Sequence, residues 1–186
     1  LLTLLHFIQD PTKTNLLFYI LHFDFLNFKP LDIAKLTRFA SRRKEDLFEI
    51  ITDPSLSPSK EFLDFGEKLF NWQRLSINRP LTEFFDHVIK ESGYLDHILT
   101  QPDKVEQLNQ LNTLFDELKK LNRANHKLTL KDFLEQISLL EENKIAIKEH
   151  ELKTQKNAVR LMTAHKSKGL EFDYVFIMKC LDKHWG

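Results

Sequence analysis

Glycine, cysteine and an excess of either charge are scarce in this chain, and each scarcity excludes something. Four glycines in 186 residues leave no Gly-x-x-x-x-Gly-Lys-[Ser/Thr] loop whose backbone amides could cradle a nucleotide's phosphates. A single cysteine, Cys180, excludes an internal disulfide and points to a reducing compartment. Its place at the end of an apolar run suits a buried, inert thiol. Lysine plus arginine equals aspartate plus glutamate, 27 of each, so no global basic field draws the chain to a polyanion and any nucleic-acid contact has to be local. No apolar run is long enough to cross a bilayer, and the opening Leu-Leu-Thr-Leu-Leu has neither a basic lead-in nor a cleavage site. The chain therefore reads as cytoplasmic. Starting at Leu1 and stopping at Gly186, just after a strand-like run, it also reads as an excerpt of a longer protein.

What is present is mostly helical periodicity. All 6 prolines lie at or before Pro102, and most precede an apolar stripe. Asp10-Pro11 predicts an N-cap and first-turn proline ahead of Leu16, Leu17, Ile20, Leu21 and Phe23. Ile33, Leu36, Phe39 and Ala40 form a second stripe ending in Arg42-Arg43-Lys44, cations suited to the negative end of a helix dipole. Ser57-Pro58 introduces Phe62, Phe65, Leu69 and Trp72. A helix through Phe84, Phe85, Val88 and Ile89 is expected to stop near Gly93. The most regular stripe runs through Val105, Leu108, Leu111, Phe115, Leu118 and Leu121, and Asn122 to Lys127 breaks it. Thr129 and Asp132 then spell a short-armed capping box, with Leu128 and Phe133 as its staple. From Glu141 to Asn157 mixed charges indicate a connector or a frayed helix.

Residues 159–178 change character. Val159, Leu161 and Thr163 would share one face of an extended segment, and Val175, Phe176, Ile177 and Met178 suit a strand buried on both faces. That predicts strand, loop, strand, with Thr163 to Glu171 at a sheet rim, where open α/β sheets bind ligands. Arg160, Lys166 and Lys168 against Glu171 leave a local net charge of +2, which fits a few phosphate contacts.

The wording Thr163-Ala-His165-Lys-Ser-Lys168-Gly169-Leu-Glu171-Phe172 closely resembles motif V of the superfamily 1 DNA helicases of the UvrD, PcrA and Rep type. The helical residues before it are similar in length and texture to the 2B insertion that such helicases carry inside their second RecA-like domain. The resemblance implies a mainly α chain in two parts. Residues 1–150 would be a helical 2B-like body, and residues 151–186 a returning β-loop-β piece of domain 2A, an incomplete P-loop NTPase fold. It implies a fragment of an ATP-dependent 3′-to-5′ DNA helicase using ATP with Mg²⁺, whose partners are single-stranded and duplex DNA and the missing RecA-like domains. In that family ATP binding closes the two RecA-like domains and hydrolysis reopens them, which ratchets a strand along the cleft. Alternatives are the helicase part of an AddA or RecB-type helicase-nuclease, to which the Asp182-Lys-His-Trp-Gly ending leaves room, and a non-catalytic helical interaction module.

By the same resemblance Thr163 and His165 belong to DNA, as phosphate donors or, for His165, a stacking ring. Glu171 would accept from the ribose hydroxyls of ATP. Gly169 removes a side chain where backbone approaches a ligand or adopts positive φ. Lys168 can bind phosphate, organise the loop or stand in solvent. Elsewhere the plainer readings prevail. Trp72, Phe84 and Phe85 fall at helical spacing and suit a core better than a base-stacking platform. Histidines His6, His22, His87, His97, His126 and His150 show no metal-ligand spacing. Arg42-Arg43-Lys44 is better read as a solvated helix end than as a duplex contact. Neither a phosphate loop, an acidic magnesium-binding motif nor an arginine-bearing motif VI is found, so the chain by itself is expected to hydrolyse ATP no faster than background. A phosphate-release assay on the purified chain, with and without single-stranded DNA, tests this, and turnover well above background would contradict it.

Overall fold

A computed structural model describes residues 1–145, 159 and 161–178. The chain divides into two units, Leu1–Glu151 and Leu152–Gly186, and each is taken by itself.

The first unit is built from nine α-helices among the described residues: α1 Leu2–Gln9, α2 Thr14–Leu21, α3 Pro30–Arg43, α4 Leu47–Thr52, α5 Lys60–Asn78, α6 Leu81–Glu91, α7 Tyr94–Thr100, α8 Lys104–Ala124 and α9 Leu130–Glu142. Helix α1 packs against α2, α5 and α9, while α5 also meets α4 and α6. The core accordingly lies where α1 and α5 cross the others. Leu4, Leu5, Phe7 and Ile8 of α1 are all buried. Helix α5 buries Phe62, Phe65, Gly66, Leu69 and Trp72, the i, i+3, i+4, i+7 rhythm of one helical face. Trp72 is fully buried, and its indole N–H donates to a Glu91 carboxylate oxygen at 2.5 Å. The same Glu91 oxygen lies 2.9 Å from His87 Nε2, so one carboxylate at the end of α6 ties α5 to α6. Phe28 stacks on Phe62 with centroids 4.8 Å apart and meets the edge of Phe65 at 5.5 Å, closing the loop before α3 over α5.

Several sequence expectations are met by particular contacts. Thr129 accepts from the Asp132 backbone N–H and Asp132 accepts from that of Thr129, which is the capping box in full. Gly93 takes φ 81° after α6, and its N–H reaches the Lys90 carbonyl at 3.3 Å. Trp72, Phe84 and Phe85 are core residues. Arg43 rests over the Phe39 ring at 5.0 Å and lies 3.9 Å from Glu45, the surroundings of a solvated helix end.

Other expectations need correction. Asp10 does not cap α2: it ends α1, and its carboxylate accepts from the Thr12 N–H at 3.2 Å and hydroxyl at 2.5 Å. That local turn competes with capping and delays α2 to Thr14. The stripe on α8 forms a helix but not a buried one, since of its residues Leu118 alone is buried and Val105 is 60 % exposed. Helices α1, α4 and α7 have no counterpart in the sequence reading. The connector after Glu142 and Cys180 fall largely or wholly outside the described residues, as do His150 and the final His184-Trp185-Gly186.

The second unit departs most. Among the described residues no strand forms at 161–163 or 174–178, so the mainly α character stands without the expected β-loop-β piece. The physical reason is exposure: Val159 is 94 %, Leu161 90 % and Phe176 90 % exposed. Two short apolar runs cannot satisfy their backbone groups or bury both faces without further strands beside them.

Two substitutions test the packing of the first unit. A Cβ on Gly66 would sit 2.5 Å from the Ile51 carbonyl oxygen and 2.9 Å from its carbon. In an open helix Gly→Ala gains about 1 kcal/mol of propensity, but overpacking against backbone costs about 1–3 kcal/mol. Gly66→Ala is therefore expected to lower the denaturation midpoint, and a chemical-denaturation curve showing stabilisation would refute that close contact. Thr129→Ala, which removes the cap on α9, is expected to cost about 1 kcal/mol in the same experiment. Hydrogen bonds from the Thr129 N–H and hydroxyl hold the Asp132 carboxyl below its usual range. Their stabilisation is accordingly present above the unfolded-state pKa and lost as pH falls through the lower folded-state pKa.

Candidate functional site

The sequence-predicted site is one turn of chain. Thr163 precedes a single helical turn, α10, over Ala164–Ser167. The Ser167 N–H closes on the Thr163 carbonyl at 3.1 Å, and the Leu170 N–H on the Ser167 carbonyl at 3.0 Å. These two bonds reverse the chain between Thr163 and Leu170, so both ends of the motif are held through the backbone. His165 lies within the turn, and Lys168 and Gly169 form the reversal.

Gly169 takes φ 83°, a left-handed conformation that costs a residue bearing a Cβ about 1–2 kcal/mol. A Cβ there would meet no atom within 4 Å. Of the two reasons offered for this glycine, backbone conformation is therefore the one this structure supports, and lack of space is not. The turn that carries Lys168 out of α10 and Leu170 back depends on it.

Every predicted site residue faces solvent: Thr163, His165, Lys168, Gly169 and Glu171 are all exposed, and Ser167 is half-buried. The set thus offers, over nine residues of contiguous chain, an imidazole, an ammonium, a hydroxyl and a carboxylate. Cation and imidazole can meet phosphate oxygens, and the carboxylate is acceptor-only and suits hydroxyl donors such as those of a sugar. Beyond the turn, Tyr174 to Met178 remain 61 % exposed or more, so the motif is flanked by apolar surface that the described residues of its own unit leave open. Arg160 lies outside the described residues. Among those described, no group of three or more His, Cys, Asp or Glu side chains is placed to hold a metal ion, and no helix is long and apolar enough to cross a membrane.

The first unit contains a feature that sequence reading missed. A groove of about 640 Å³ opens between the ends of α1 and α5, the start of α6 and the loop from α8 to α9. Its residues come from three stretches far apart in sequence, so no local pattern could have announced it.

With this geometry in hand, comparison with known proteins is decisive at the family level. The model of the UvrD-like helicase C-terminal domain matches residues 27–185. The chain belongs to this family. Among its relatives, the ATP-dependent DNA helicase Rep of Buchnera aphidicola subsp. Schizaphis graminum is 30 % identical over 200 residues, covering 96 % of this chain and 29 % of Rep. The A subunit of the ATP-dependent helicase/nuclease of Ruminiclostridium cellulolyticum is 28 % identical over 183 residues, covering 96 % of this chain but 14 % of that protein. Its counterpart in Streptococcus equi subsp. zooepidemicus is 32 % identical over 120 residues, covering 64 % of this chain and 10 % of that protein. The chain therefore spans a minor part of each relative's length, and the UvrD-like match takes in both the helices from α3 onward and the turn at Thr163–Glu171.

Proposed function

We propose that this chain is a segment of an ATP-dependent DNA helicase that works 3′ to 5′, comprising a 2B-like helical insertion over residues 1–150 and the returning motif V segment of a RecA-like domain over 151–186. One observation carries the reading: within the UvrD-like match, the turn Thr163–Glu171 stands at the surface, with each of its predicted site residues accessible to a ligand. A packed turn could not have served. Relatives named as Rep and as helicase/nuclease proteins both align along nearly the whole chain, which supports a motor segment shared by the two kinds and disfavours a non-catalytic interaction module.

On this reading Thr163 and His165 contact single-stranded DNA, through phosphate and through stacking of the imidazole. Glu171 accepts from the ribose hydroxyls of ATP, and Lys168 meets phosphate from the reversal that Gly169 permits. The residue chemistry fits these ligands, because each group is exposed and Glu171 and Lys168 make no ion pair among the described residues. ATP with Mg²⁺ would supply the phosphoanhydride chemistry, and its main ligands lie in other parts of the parent protein. What this turn contributes is positioning: one end reads nucleotide and the other reads the strand, a few residues apart on the same short loop. The exposed apolar run from Tyr174 to Met178 is the face by which the segment joins the remaining sheet of a RecA-like domain, where its backbone groups would find partners. A reducing, cytoplasmic setting agrees with a chain that has one cysteine.

The test uses the full-length parent protein. Glu171→Ala is expected to raise the KM for ATP by about tenfold, the worth of a charge-assisted hydrogen bond, with the DNA concentration for half-maximal stimulation little changed. His165→Ala is expected to do the reverse, raising that DNA concentration by about tenfold at nearly constant KM for ATP. DNA-stimulated ATPase assays that leave both variants at wild-type values would remove the proposal.

A further inference from the structure

We propose that the groove between α1, α5 and the α8–α9 loop is a docking site for an acidic peptide segment of another protein, in which carboxylates flank an apolar side chain. The inference is independent of the assignment of the motif V turn. Three properties of the groove lead to it. Its rim carries Arg79, Lys127 and Lys131, while no aspartate or glutamate lines it. In a chain of zero net charge, that is a local concentration of one sign. Arg79 and Lys131 lie 3.5 Å and 3.8 Å from Glu83 and Glu135, in exposed i,i+4 pairs. Such pairs are worth little and are readily exchanged for an incoming carboxylate. Lys127 makes no ion pair among the described residues.

The apolar content of the groove is the second property. Ile77 is 84 % exposed although it sits beside the buried Leu81 and Leu130. This side chain has no packing reason to be isoleucine, and it gives an occupant an apolar contact that a phosphate backbone would not use.

Third, Gln73 lines the groove and carries a side-chain donor that its own unit does not answer. Gln73 Nε2 is buried and has no hydrogen-bond partner. A peptide carbonyl can answer it where the Gln73 amide turns toward the occupant. The combination of cations and exposed apolar surface therefore favours a peptide over a nucleic acid.

Fluorescence anisotropy on the purified chain tests this with a short fluorescein-labelled peptide in which Asp alternates with Leu. The peptide is expected to bind saturably and in a salt-sensitive way, and its analogue with Asn for Asp about tenfold more weakly. Lys127→Glu and Ile77→Asp, both at exposed positions where folding is not at stake, are each expected to weaken the acidic peptide by about tenfold. Equal binding of the Asn analogue would overturn the proposal, since it would indicate unspecific apolar adhesion. Wild-type affinity in both variants would overturn it too. So would displacement of the peptide by a short DNA duplex that is lost in Lys127→Glu but untouched in Ile77→Asp, because the groove would then be a phosphate site.

Discussion

The helical unit depends on how closely α5 can approach its neighbours. At Gly66 its backbone lies against the Ile51 carbonyl of α4 with no room for a Cβ, and six residues further along Trp72 is sunk completely into the core. Contact that close is available only to a residue without a side chain, and it brings the whole of α5 within reach of α1 on one side and α6 on the other. The Trp72 indole then needs an acceptor, because a buried N–H left unpaired costs about 1–3 kcal/mol. Glu91 supplies it from the last turn of α6, and the carboxylate stays partly in water, which spares it the desolvation of a fully buried charge. A close helix contact, a large buried ring and one semi-exposed carboxylate are thus linked, and the ends of α1, α5 and α6 that frame the groove are set by them.

How far this was legible in the chain follows the physics of each signal. Helices α3, α5, α6 and α9 announce themselves because one face is apolar and the other is not, and because Thr129 and Gly93 mark their limits with side-chain and backbone chemistry. Helix α1 has almost no polar contrast: Leu2, Leu4, Leu5, Phe7 and Ile8 surround it, and a helix buried on most sides has little periodicity to read. Helices α4 and α7, six and seven residues long, are too short for a period to repeat. The stripe of α8 shows the opposite failure. Spacing predicts a helix and which face is apolar, but depth of burial depends on what packs there, and α6 and α7 cover that face only in part.

The candidate site divides in a similar way. Residue types of the Thr163–Glu171 turn could be read directly, and positive φ at Gly169 is one of two readings its sequence allows, since a tight turn is a local object fixed by its own backbone. The strands expected on either side do not form among the described residues, because a strand exists through its neighbours and the sequence of one edge does not contain them. The groove lined by residues from α1, α5 and α9 is more remote still, being a product of tertiary packing with no segment of its own.

The open flank of the motif has a practical consequence. Tyr174, Val175, Phe176, Ile177 and Met178 form an aromatic and β-branched run in water, with no charge, proline or glycine to interrupt it. Such a run invites pairing with its own kind on another molecule. When the segment is handled alone, self-association through this run grows with concentration, and a single lysine placed in it is the natural gatekeeper.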